Sequence, residues 1–390
     1  MCTSTARSPS EMTSAEGIAV AGAGLSRGTI DRVAVLGTGL MGTSVAMAAA
    51  RAGATVTGWD ADPATTARAA AIGGFAQAAS LEEAVEGADL VVVCTPIPTI
   101  APVVAAALAA TTDAIVTEVG SIMDSISRQV AEEAPPEHLR RYVPGHPMGG
   151  SERSGPEHSS PSVLDGIVWV VSPSDVSDLG GVDTLESWIE SLGARPVRMP
   201  ADRHDRLVAF VSHLPQVAST ALMSLAATEE ADEPEILLLA AGGFRDLTRL
   251  AASDARLWSS ILLANRAQIA EAIDLYIDRL RSLREDVLGS RSEAVESTFT
   301  QAKEARLRLA TKPQVKSGVA VLQVEAPDRP GALAELTSIL ADGQVNIEDL
   351  QIVHSPEGGR GTVHLTVAVD AAGRATEVLV SGGLDPIRLA

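Results

Sequence analysis

The 390-residue chain contains few cysteines, few lysines and few aromatic residues. Two cysteines, Cys2 and Cys94, cannot build a disulfide framework, and no residue spacing suits a metal site, so we expect no metal. The three lysines all lie beyond residue 300, which excludes a lysine base in the first three quarters of the chain. Aromatic residues make up 3% of the sequence, so the core must consist mainly of alanine, valine, leucine and isoleucine.

Positive charge is also scarce, with 30 Lys+Arg residues against 50 Asp+Glu residues and a formal net charge of −20. This balance argues against nucleic acid and membrane surfaces as partners, because both attract a basic face. We find no apolar run that approaches the ~20 residues of a membrane span. Residues 1–29 lack the pattern of a secretion signal, so we expect a disordered extension and a cytoplasmic protein.

The most specific pattern is a glycine motif between two apolar segments, Gly37-Thr-Gly39-Leu-Met-Gly42, with Asp60 after the second segment. Strand, glycine turn, helix, strand and acid is the order of a dinucleotide-binding unit. Gly37 can form the tight turn, Gly39 admits a pyrophosphate, and Gly42 lets the helix pack closely. Asp60 can accept ribose hydroxyls and would repel a 2′-phosphate, which favours NAD over NADP. We assign the cofactor site to Gly37, Thr38, Gly39, Leu40, Met41, Gly42, Asp60 and Thr95.

Between residues 31 and 200, short apolar strands alternate with alanine-rich helices, which predicts an α/β fold with a doubly wound, mostly parallel sheet. From residue 203 to 309 the apolar residues recur at helical spacing, which predicts an all-helical domain. Long apolar helices often bury a face against a second subunit, so we expect a homodimer. The strands are predicted at residues 33–36, 55–59, 90–95, 115–119, 141–144, 168–171 and 195–199.

After a short linker, residues 318–390 follow the order of a small βαββαβ domain. Nothing in this part resembles an acid–base centre, so its role should be binding. The predicted organisation is therefore a disordered extension over residues 1–29, a Rossmann-type NAD-binding domain over 30–200, a helical substrate and dimerisation domain over 201–310, and a regulatory domain over 318–390.

An NAD-dependent oxidation of an alcohol requires a base for the hydroxyl proton, and histidine suits neutral pH. Of the seven histidines, His146 is the strongest candidate because it follows a strand at the cofactor edge. The alternative is a histidine that is merely hydrogen-bonded in a turn. His213 is either a pocket residue or a core histidine. We interpret the remaining histidines, His138, His158, His204, His354 and His364, as surface or packing residues.

Arg249 is the best candidate for binding an anion, because a guanidinium can grip a carboxylate with two hydrogen bonds. Asp246 lies about one helical turn earlier and could hold the arginine in place. The alternative for Arg245 and Arg249 is a solvated helix face, and we interpret Arg245 in that way. Trp258 is interpreted as a core residue rather than a substrate platform.

Four segments together resemble the prephenate/arogenate dehydrogenase family, the NAD(P)-dependent enzymes that make the tyrosine precursor. They are the glycine motif, His-Pro-Met-Gly-Gly-Ser-Glu at residues 146–152, Ser-His-Leu-Pro at 212–215 and Gly-Phe-Arg-Asp-Leu-Thr-Arg at 243–249. The resemblance runs from about residue 31 to 310. Residues 318–390 are similar to an ACT domain, an amino-acid-sensing module with a ferredoxin-like fold. The signature is Asp328-Arg-Pro-Gly331 before a helix and Asn346 at the second strand.

The resemblance implies that His146 accepts the proton of the ring hydroxyl of the substrate and that Ser121 orients both groups. It also implies substrate-binding roles for Arg249, His213, Gln216, Glu152 and Asp246, with the two acids forming an ionic network around the arginine. Gln216 stands where many relatives have a second histidine. An uncharged side chain suits a keto acid at least as well as an ammonium group, so we favour prephenate over arogenate as the substrate.

Two other functions are weighed against a prephenate or arogenate dehydrogenase, and the C-terminal domain predicts regulation. A β-hydroxyacid dehydrogenase would need a lysine that the chain does not have at a suitable position. A non-catalytic protein that senses NAD or amino acids would not need the set of His146, Ser121 and Arg249. We expect the ACT domain to bind L-tyrosine or another aromatic amino acid at a subunit interface; a purely structural dimerisation domain is the alternative. The regulatory residues implied are Asp328, Pro330, Gly331 and Asn346.

Overall fold

The computed structural model describes residues 29–149, 155–309, 318–327, 329–354 and 360–389. The chain divides into two compact units. The first unit comprises Met1–Leu222 and Leu250–Ala272, and the second comprises Met223–Arg249 and Ile273–Ala390.

A five-stranded parallel sheet forms the centre of the first unit, with the order β3-β2-β1-β4-β5. The chain moves outward from β1 to β3 and then returns to place β4 on the other side of β1. This reversal opens a crevice at the carboxyl ends of β1 and β4, where ligands of such sheets bind. The strands are β1 (Arg32–Leu36), β2 (Thr55–Trp59), β3 (Ala76–Gln77), β4 (Leu90–Val93) and β5 (Ile115–Glu118).

Helices cover both faces of this sheet, as the side chains of β1 demonstrate. Val33 and Val35 belong to one buried apolar cluster, whereas Ala34 and Leu36 belong to another. Successive side chains of a strand point to opposite faces, so a strand buried on both faces reads as a continuous apolar run. The predicted doubly wound fold is confirmed. The helices are α1 (Leu40–Arg51), α2 (Pro63–Gly73), α3 (Leu81–Val85), α4 (Ile97–Ala110) and α5 (Asp124–Glu133).

A separate three-stranded sheet follows, and here the prediction of a single sheet was wrong. The strand β6 (Gly145–Pro147) runs antiparallel to β7 (Val168–Val171), and β7 runs parallel to β8 (Arg195–Arg198) after helix α6 (Leu179–Ser191). Of the strand predicted at residues 141–144, only Tyr142 pairs with the main sheet, through a single parallel bridge to Val116 of β5, and regular pairing begins at Gly145. Apolar patterning identifies a strand but not the partner with which it pairs.

A continuous helix, Ala201–Glu229, opens the helical region. It consists of α7 (Ala201–Val208), a π-helical turn (Ala209–His213) and α8 (Leu214–Glu229). Among the described residues, this is the one helix whose length and composition would allow it to cross a membrane, a test that core helices of soluble proteins also pass. Our expectation that no segment would approach a membrane span was therefore wrong for this helix.

Two breaks divide the remaining helices. Gly242 and Gly243 begin a helix after the break that follows Leu238. A second break lies at Asn265, whose backbone leaves the helical conformation. The helices are α9 (Glu235–Leu238), α10 (Gly242–Thr248), α11 (Ala255–Ala264), α12 (Arg266–Leu288) and α13 (Ser292–Leu309).

The C-terminal part of the second unit has the predicted βαββαβ order. Its four strands form an antiparallel sheet with the order β10-β11-β9-β12. Apolar side chains of the sheet and both helices form one core, which includes Leu322, Leu340, Leu365 and Leu379. The elements are β9 (Val319–Pro327), α14 (Ala332–Asp342), β10 (Asp349–His354), β11 (Arg360–Ala368), α15 (Ala372–Ser381) and β12 (Ile387–Arg388).

Candidate active site

The glycine turn after β1 combines two crowded positions with one open position. Gly37 has a φ of +93°, and a Cβ there would lie 2.7 Å from the backbone carbonyl carbon of Cys94. A Cβ on Gly42 would lie 1.9 Å from the carbonyl oxygen of Gly37. At Gly39, by contrast, no heavy atom lies within 4 Å of the Cβ position. The turn is therefore tightly packed on the protein side and open on the side where a pyrophosphate would approach.

Asp60 lies beside this turn, at the end of β2. Its Oδ2 accepts the N–H of Thr38 at 2.8 Å, and its Oδ1 accepts the N–H of Asp62 at 3.0 Å. Helix α1 begins after Gly39 without a side-chain cap and without an acidic residue in its first turn. A helix start of this kind presents N–H groups and a partial positive charge to an anion. These residues fit NAD, with the carboxylate available to the ribose hydroxyls.

Thr95 follows β4 on the other side of the crevice. The residue is partly exposed, and its Oγ1 is a buried atom without a hydrogen-bond partner among the described residues. Its neighbour Cys94 packs against the glycine turn. Burial, together with the charge of Glu118, raises the pKa of the Cys94 thiol, so this thiol is unreactive.

His146 lies in the middle of β6, partly exposed, and contacts a second histidine. Its Nδ1 is 2.8 Å from Nε2 of His204, and the two rings meet edge to face with centroids 5.0 Å apart. His204 is 1% exposed, and its Nδ1 is 2.8 Å from Oδ1 of Asp205. The interpretation of His204 as a surface or packing residue was wrong, because both of its ring nitrogens are hydrogen-bonded in the site.

Asp205 is buried at the N-terminus of α5. Its Oδ1 accepts the N–H of Met123 at 2.9 Å, and its Oδ2 accepts the N–H of Asp124 at 2.9 Å. The carboxyl group thus binds the first backbone donors of a helix in addition to His204. Buried carboxyl groups that accept several hydrogen bonds are well suited to hold an imidazole in one orientation.

The donors and acceptors in this series fix the histidine tautomers. Because Asp205 accepts hydrogen bonds, Nδ1 of His204 carries the proton and Nε2 of His204 is an acceptor. Nδ1 of His146 must then donate to that acceptor. It follows that Nε2 of His146 carries a lone pair and no proton, which is the form that a general base requires.

The environment of His146 keeps the ring neutral. Burial and, to a smaller extent, the neighbouring His204 and His213 together lower the pKa of His146 to about 3. At neutral pH the imidazole is therefore unprotonated in the absence of a ligand.

Ser121 lies in the loop between β5 and α5, close in sequence to Met123. The loop is attached to the site at two points, since Met123 binds Asp205 and the Gly120 N–H donates to the carboxyl of Glu118. The backbone N–H of Gly145, next to His146, faces the Glu118 carboxyl group. The structure thus brings the chain segments of Ser121 and His146 to one buried carboxyl group.

His213 is buried nearby, and Asn265 orients it. The Asn265 side-chain amide donates to the carbonyl oxygen of Asp205 at 2.8 Å and lies 3.2 Å from Nδ1 of His213. Nδ1 is therefore the acceptor, and Nε2 of His213 carries the proton. Burial, which the charge of Asp205 partly opposes, lowers the pKa of His213 to about 4. The ring packs edge to face on Trp258 with centroids 6.1 Å apart.

The π-helical turn affects how these side chains are arranged. His204 and His213 are nine residues apart, and in a regular α-helix they would lie about half a turn out of phase. In the π turn, the Leu214 N–H donates to the carbonyl of Ala209, five residues earlier, which rotates the residues that follow. Both histidines are thereby linked to Asp205, one directly and the other through Asn265.

Gln216 is also buried, and protein groups bind its amide. Its Nε2 donates to the carbonyl of Leu250 at 2.7 Å, and its Oε1 accepts the Ser253 hydroxyl at 3.4 Å. Its predicted contact with a substrate stays a prediction.

The other predicted residues are placed as follows. Arg249 and Asp246 are exposed and belong to the second unit, at and before the end of α10. In the ACT-like part, Pro330 and Gly331 are exposed, and Nδ2 of Asn346 donates to Glu348 at 2.6 Å. Glu152 and Asp328 lie outside the described residues. Within the described ranges, no group of three or more His, Cys, Asp or Glu side chains is placed to hold a metal ion.

Comparison with known families gives three matches along the chain. The family model described as prephenate dehydrogenase, nucleotide-binding domain matches residues 45–198, and its dimerization domain matches residues 200–301. An ACT domain matches residues 320–379. The cyclohexadienyl dehydrogenase of Zymomonas mobilis is 30% identical over 289 residues, which cover 73% of this chain and 98% of that protein.

The chain belongs to the prephenate dehydrogenase family.

Further relatives agree with this membership. The prephenate dehydrogenase of Bacillus subtilis is 29% identical over 66% of this chain and 69% of its own length. A solved prephenate dehydrogenase from A. aeolicus, in complex with hydroxyphenyl propionate and NAD+, is 26% identical with a TM-score of 0.67. The match covers 72% of this chain and 99% of the A. aeolicus chain. The resemblance that we based on four short segments is confirmed.

Sequence reasoning missed His204, Asp205 and Asn265 as members of the site. The adjacent pair His204-Asp205 was the available signal, because an imidazole beside a carboxylate is a common way to orient a base. It lies on α7, where most neighbouring residues are charged and the pattern is that of a surface helix. Asn265 gave no signal, since a single asparagine between two apolar helices indicates only a break.

Proposed function

We propose that the protein is an NAD-dependent prephenate dehydrogenase that converts prephenate to 4-hydroxyphenylpyruvate by oxidative decarboxylation. The observation that carries this proposal is the hydrogen-bond series from Asp205 through His204 to His146. It leaves an unprotonated Nε2 on a histidine beside the cofactor edge of the sheet, in a chain of this family. An alcohol oxidation needs such a base.

The cofactor would be held by the glycine turn, by Asp60 and by Thr95. Backbone N–H groups at the start of α1 would bind the pyrophosphate, and Asp60 the adenosine ribose. When bound, NAD supplies the acceptor for the hydride of the ring carbon that carries the hydroxyl group.

The residues of the chain handle the proton. Ser121 orients the ring hydroxyl, and Nε2 of His146 accepts its proton. The positive charge that develops on His146 is stabilised by Asp205 through His204, which can share the proton along the short hydrogen bonds. The oxidised ring then loses its carboxylate as carbon dioxide and becomes aromatic, which makes the reaction effectively irreversible.

We assign the side-chain carboxylate of the substrate to Arg249, with Glu152 and Asp246 as the surrounding ionic network. His213, whose Nε2 carries a proton, can donate a hydrogen bond to a substrate oxygen. Gln216 is uncharged, which favours the keto acid prephenate over the amino acid arogenate.

A homodimer is part of the proposal. In the second unit, α12 and α13 leave large apolar side chains exposed, among them Leu288 at 64% and Phe299 at 65%. Exposed apolar surface on long helices is typical of a subunit interface. The matching family model for this region is described as a dimerization domain. The expected cytoplasmic location stays a prediction.

We also propose that the ACT domain binds L-tyrosine or another aromatic amino acid and lowers activity. The loop before α14 would supply contacts through Asp328, Pro330 and Gly331, and the loop after α14 would supply one through Asn346. Gly331 has a φ of +90°, and no heavy atom lies within 4 Å of its Cβ position, so ligand groups can approach the backbone. Such coupling typically changes affinity roughly 5- to 150-fold.

Steady-state formation of NADH tests the proposal, with prephenate and arogenate as substrates and NAD and NADP as cofactors. Prephenate with NAD should give the highest kcat/KM. The variant His146→Asn should lower kcat by about 10²- to 10⁴-fold while NAD still binds. Unchanged turnover in that variant, or no turnover of either substrate by the unmodified protein, would contradict the proposed function.

A further inference from the structure

Glu118 links the two loops that carry the catalytic candidates. It is the last residue of β5 and is completely buried. Its Oε2 accepts the N–H of Gly120, and the N–H of Gly145 faces the same carboxyl group. These two donors immediately precede Ser121 and His146 in the sequence.

The packing around Glu118 leaves little freedom for either loop. A Cβ on Gly120 would lie 2.7 Å from Oε2 of Glu118. A Cβ on Gly145 would lie 3.0 Å from the backbone oxygen of Glu118 and 2.9 Å from Oγ1 of Thr117. A side chain at either position would have to displace these neighbours, so both loops pack closely on the end of β5.

We propose that Glu118 is a positioning residue, whose carboxyl group sets the distance between Ser121 and His146 by binding the backbone N–H groups of Gly120 and Gly145. This inference rests on the proposed function only for the roles of Ser121 and His146. A shared acceptor at the base of two loops makes their separation independent of the loops' own flexibility.

The carboxyl group needs to accept hydrogen bonds but does not need a charge. Burial raises the pKa of Glu118 well above its usual range, and the N–H donors of Gly120 and Gly145 only partly oppose this shift. The titratable groups that influence it electrostatically, Asp205, Cys94 and Tyr142, include no cation. Its other oxygen, Oε1, has no hydrogen-bond partner among the described residues. A neutral acid, or an amide of the same shape, can therefore perform this role.

The variants Glu118→Gln and Glu118→Ala separate these contributions. We expect Glu118→Ala to lower kcat by about 10²-fold while the KM for NAD is unchanged, because a misplacement of about 1 Å has this effect on turnover. Glu118→Gln should restore most of the activity. The matched control is Thr66→Val, which alters another buried polar residue, on α2, away from both loops.

Amide hydrogen exchange gives a readout that needs no substrate. In Glu118→Ala, peptides that contain Gly120 and Gly145 should exchange faster than in the unmodified protein, and in Glu118→Gln they should not. If Glu118→Gln loses as much activity as Glu118→Ala, or if exchange at both glycines is unchanged in Glu118→Ala, the proposal is wrong. A protein that does not oxidise prephenate would refute the proposed function but leave the exchange result interpretable.

Discussion

His146 and His204 share one hydrogen bond, 2.8 Å from Nδ1 to Nε2, and this bond determines which nitrogen of His146 is free to act as a base. The proton on Nδ1 of His146 is held there because His204 is itself held by Asp205. A histidine that is oriented in this way does not have to select its tautomer during the reaction.

Replacing His204 should therefore impair turnover without removing the base itself. In His204→Ala, His146 can rotate and change tautomer, and we expect kcat to fall by about 10- to 100-fold with little change in the KM for NAD. His138→Ala, a partly exposed histidine outside the series, serves as the control. Equal kcat values for the two variants would contradict the role of His204.

Acid should destabilise the first unit through His146 and His213. Their pKa values of about 3 and about 4 lie below the unfolded value of about 6.5. At pH values between the folded and the unfolded pKa, the unfolded chain therefore binds more protons than the folded protein. Their contribution to stability is complete above about pH 6.5 and decreases as the pH falls towards 4. Each histidine contributes a slope of at most about 1.4 kcal/mol per pH unit. Glu118 has the opposite effect on stability. Because its pKa is raised in the folded protein, the folded state binds a proton at pH values where the unfolded chain has lost it.

Comparison with a variant isolates the histidine contribution. When the pH is lowered from 7 to 4, the free energy of unfolding should decrease less in His146→Asn than in the unmodified protein. Urea titrations followed by tryptophan fluorescence measure this difference, since the four tryptophans all lie in the first unit. Parallel pH dependences would show that His146 is not neutral in the folded state.

The preference for NAD should depend on Asp60. Asp60→Asn removes the charge that repels a 2′-phosphate and weakens the bonds to the ribose hydroxyls. We expect the KM for NAD to rise by about 10-fold and kcat/KM with NADP to increase. Asp62→Asn is a matched control, because Asp62 is a carboxylate two residues away that caps α2. An unchanged ratio of NAD to NADP activity in Asp60→Asn would remove Asp60 from the site.

Arg249 should contribute to substrate affinity more than to turnover. Lysine keeps the charge but cannot form two parallel hydrogen bonds to one carboxylate. Arg249→Lys is therefore expected to raise the KM for prephenate by about 10-fold or more, with a smaller effect on kcat. Arg245→Lys, one helical turn earlier and also exposed, should have no effect. If both variants behave alike, Arg249 belongs to a solvated helix face.

Regulation should depend on the loop that contains Asn346. Asn346→Ala is expected to weaken inhibition by tyrosine without changing basal kcat, because the residue lies in the ACT domain. Inhibition curves with increasing tyrosine measure the shift, and Gln351→Ala, at an exposed position of β10, is the control. If tyrosine still inhibits a protein that lacks residues 318–390, the inhibitor acts at the active site.

The nucleotide-binding turn could be predicted because its requirements are local. Gly37 and Gly42 are fixed by backbone contacts within one βαβ unit, and the glycines and the acid appear in the sequence at the spacing that this unit imposes. The fold class followed from the same short-range alternation of strands and helices. His146 was singled out by its position after a predicted strand, although the structure places it in the middle of β6.

The partners of His146 could not be predicted in the same way, since they depend on contacts between distant parts of the chain. His204 lies 58 residues after His146, on a helix whose pattern is that of a solvated surface. Asn265 follows Asp205 by 60 residues. Pairing of β6 with β7 in a second sheet is also a long-range choice, which the apolar character of the strands does not specify.

Asp205 completes the first turn of α5 and, through His204, determines where the proton on His146 resides. One carboxyl group therefore serves both the start of α5 and the orientation of the two histidines. A substitution that displaces the N-terminus of α5 should also disturb the hydrogen bond between His204 and Asp205, although it contacts neither histidine.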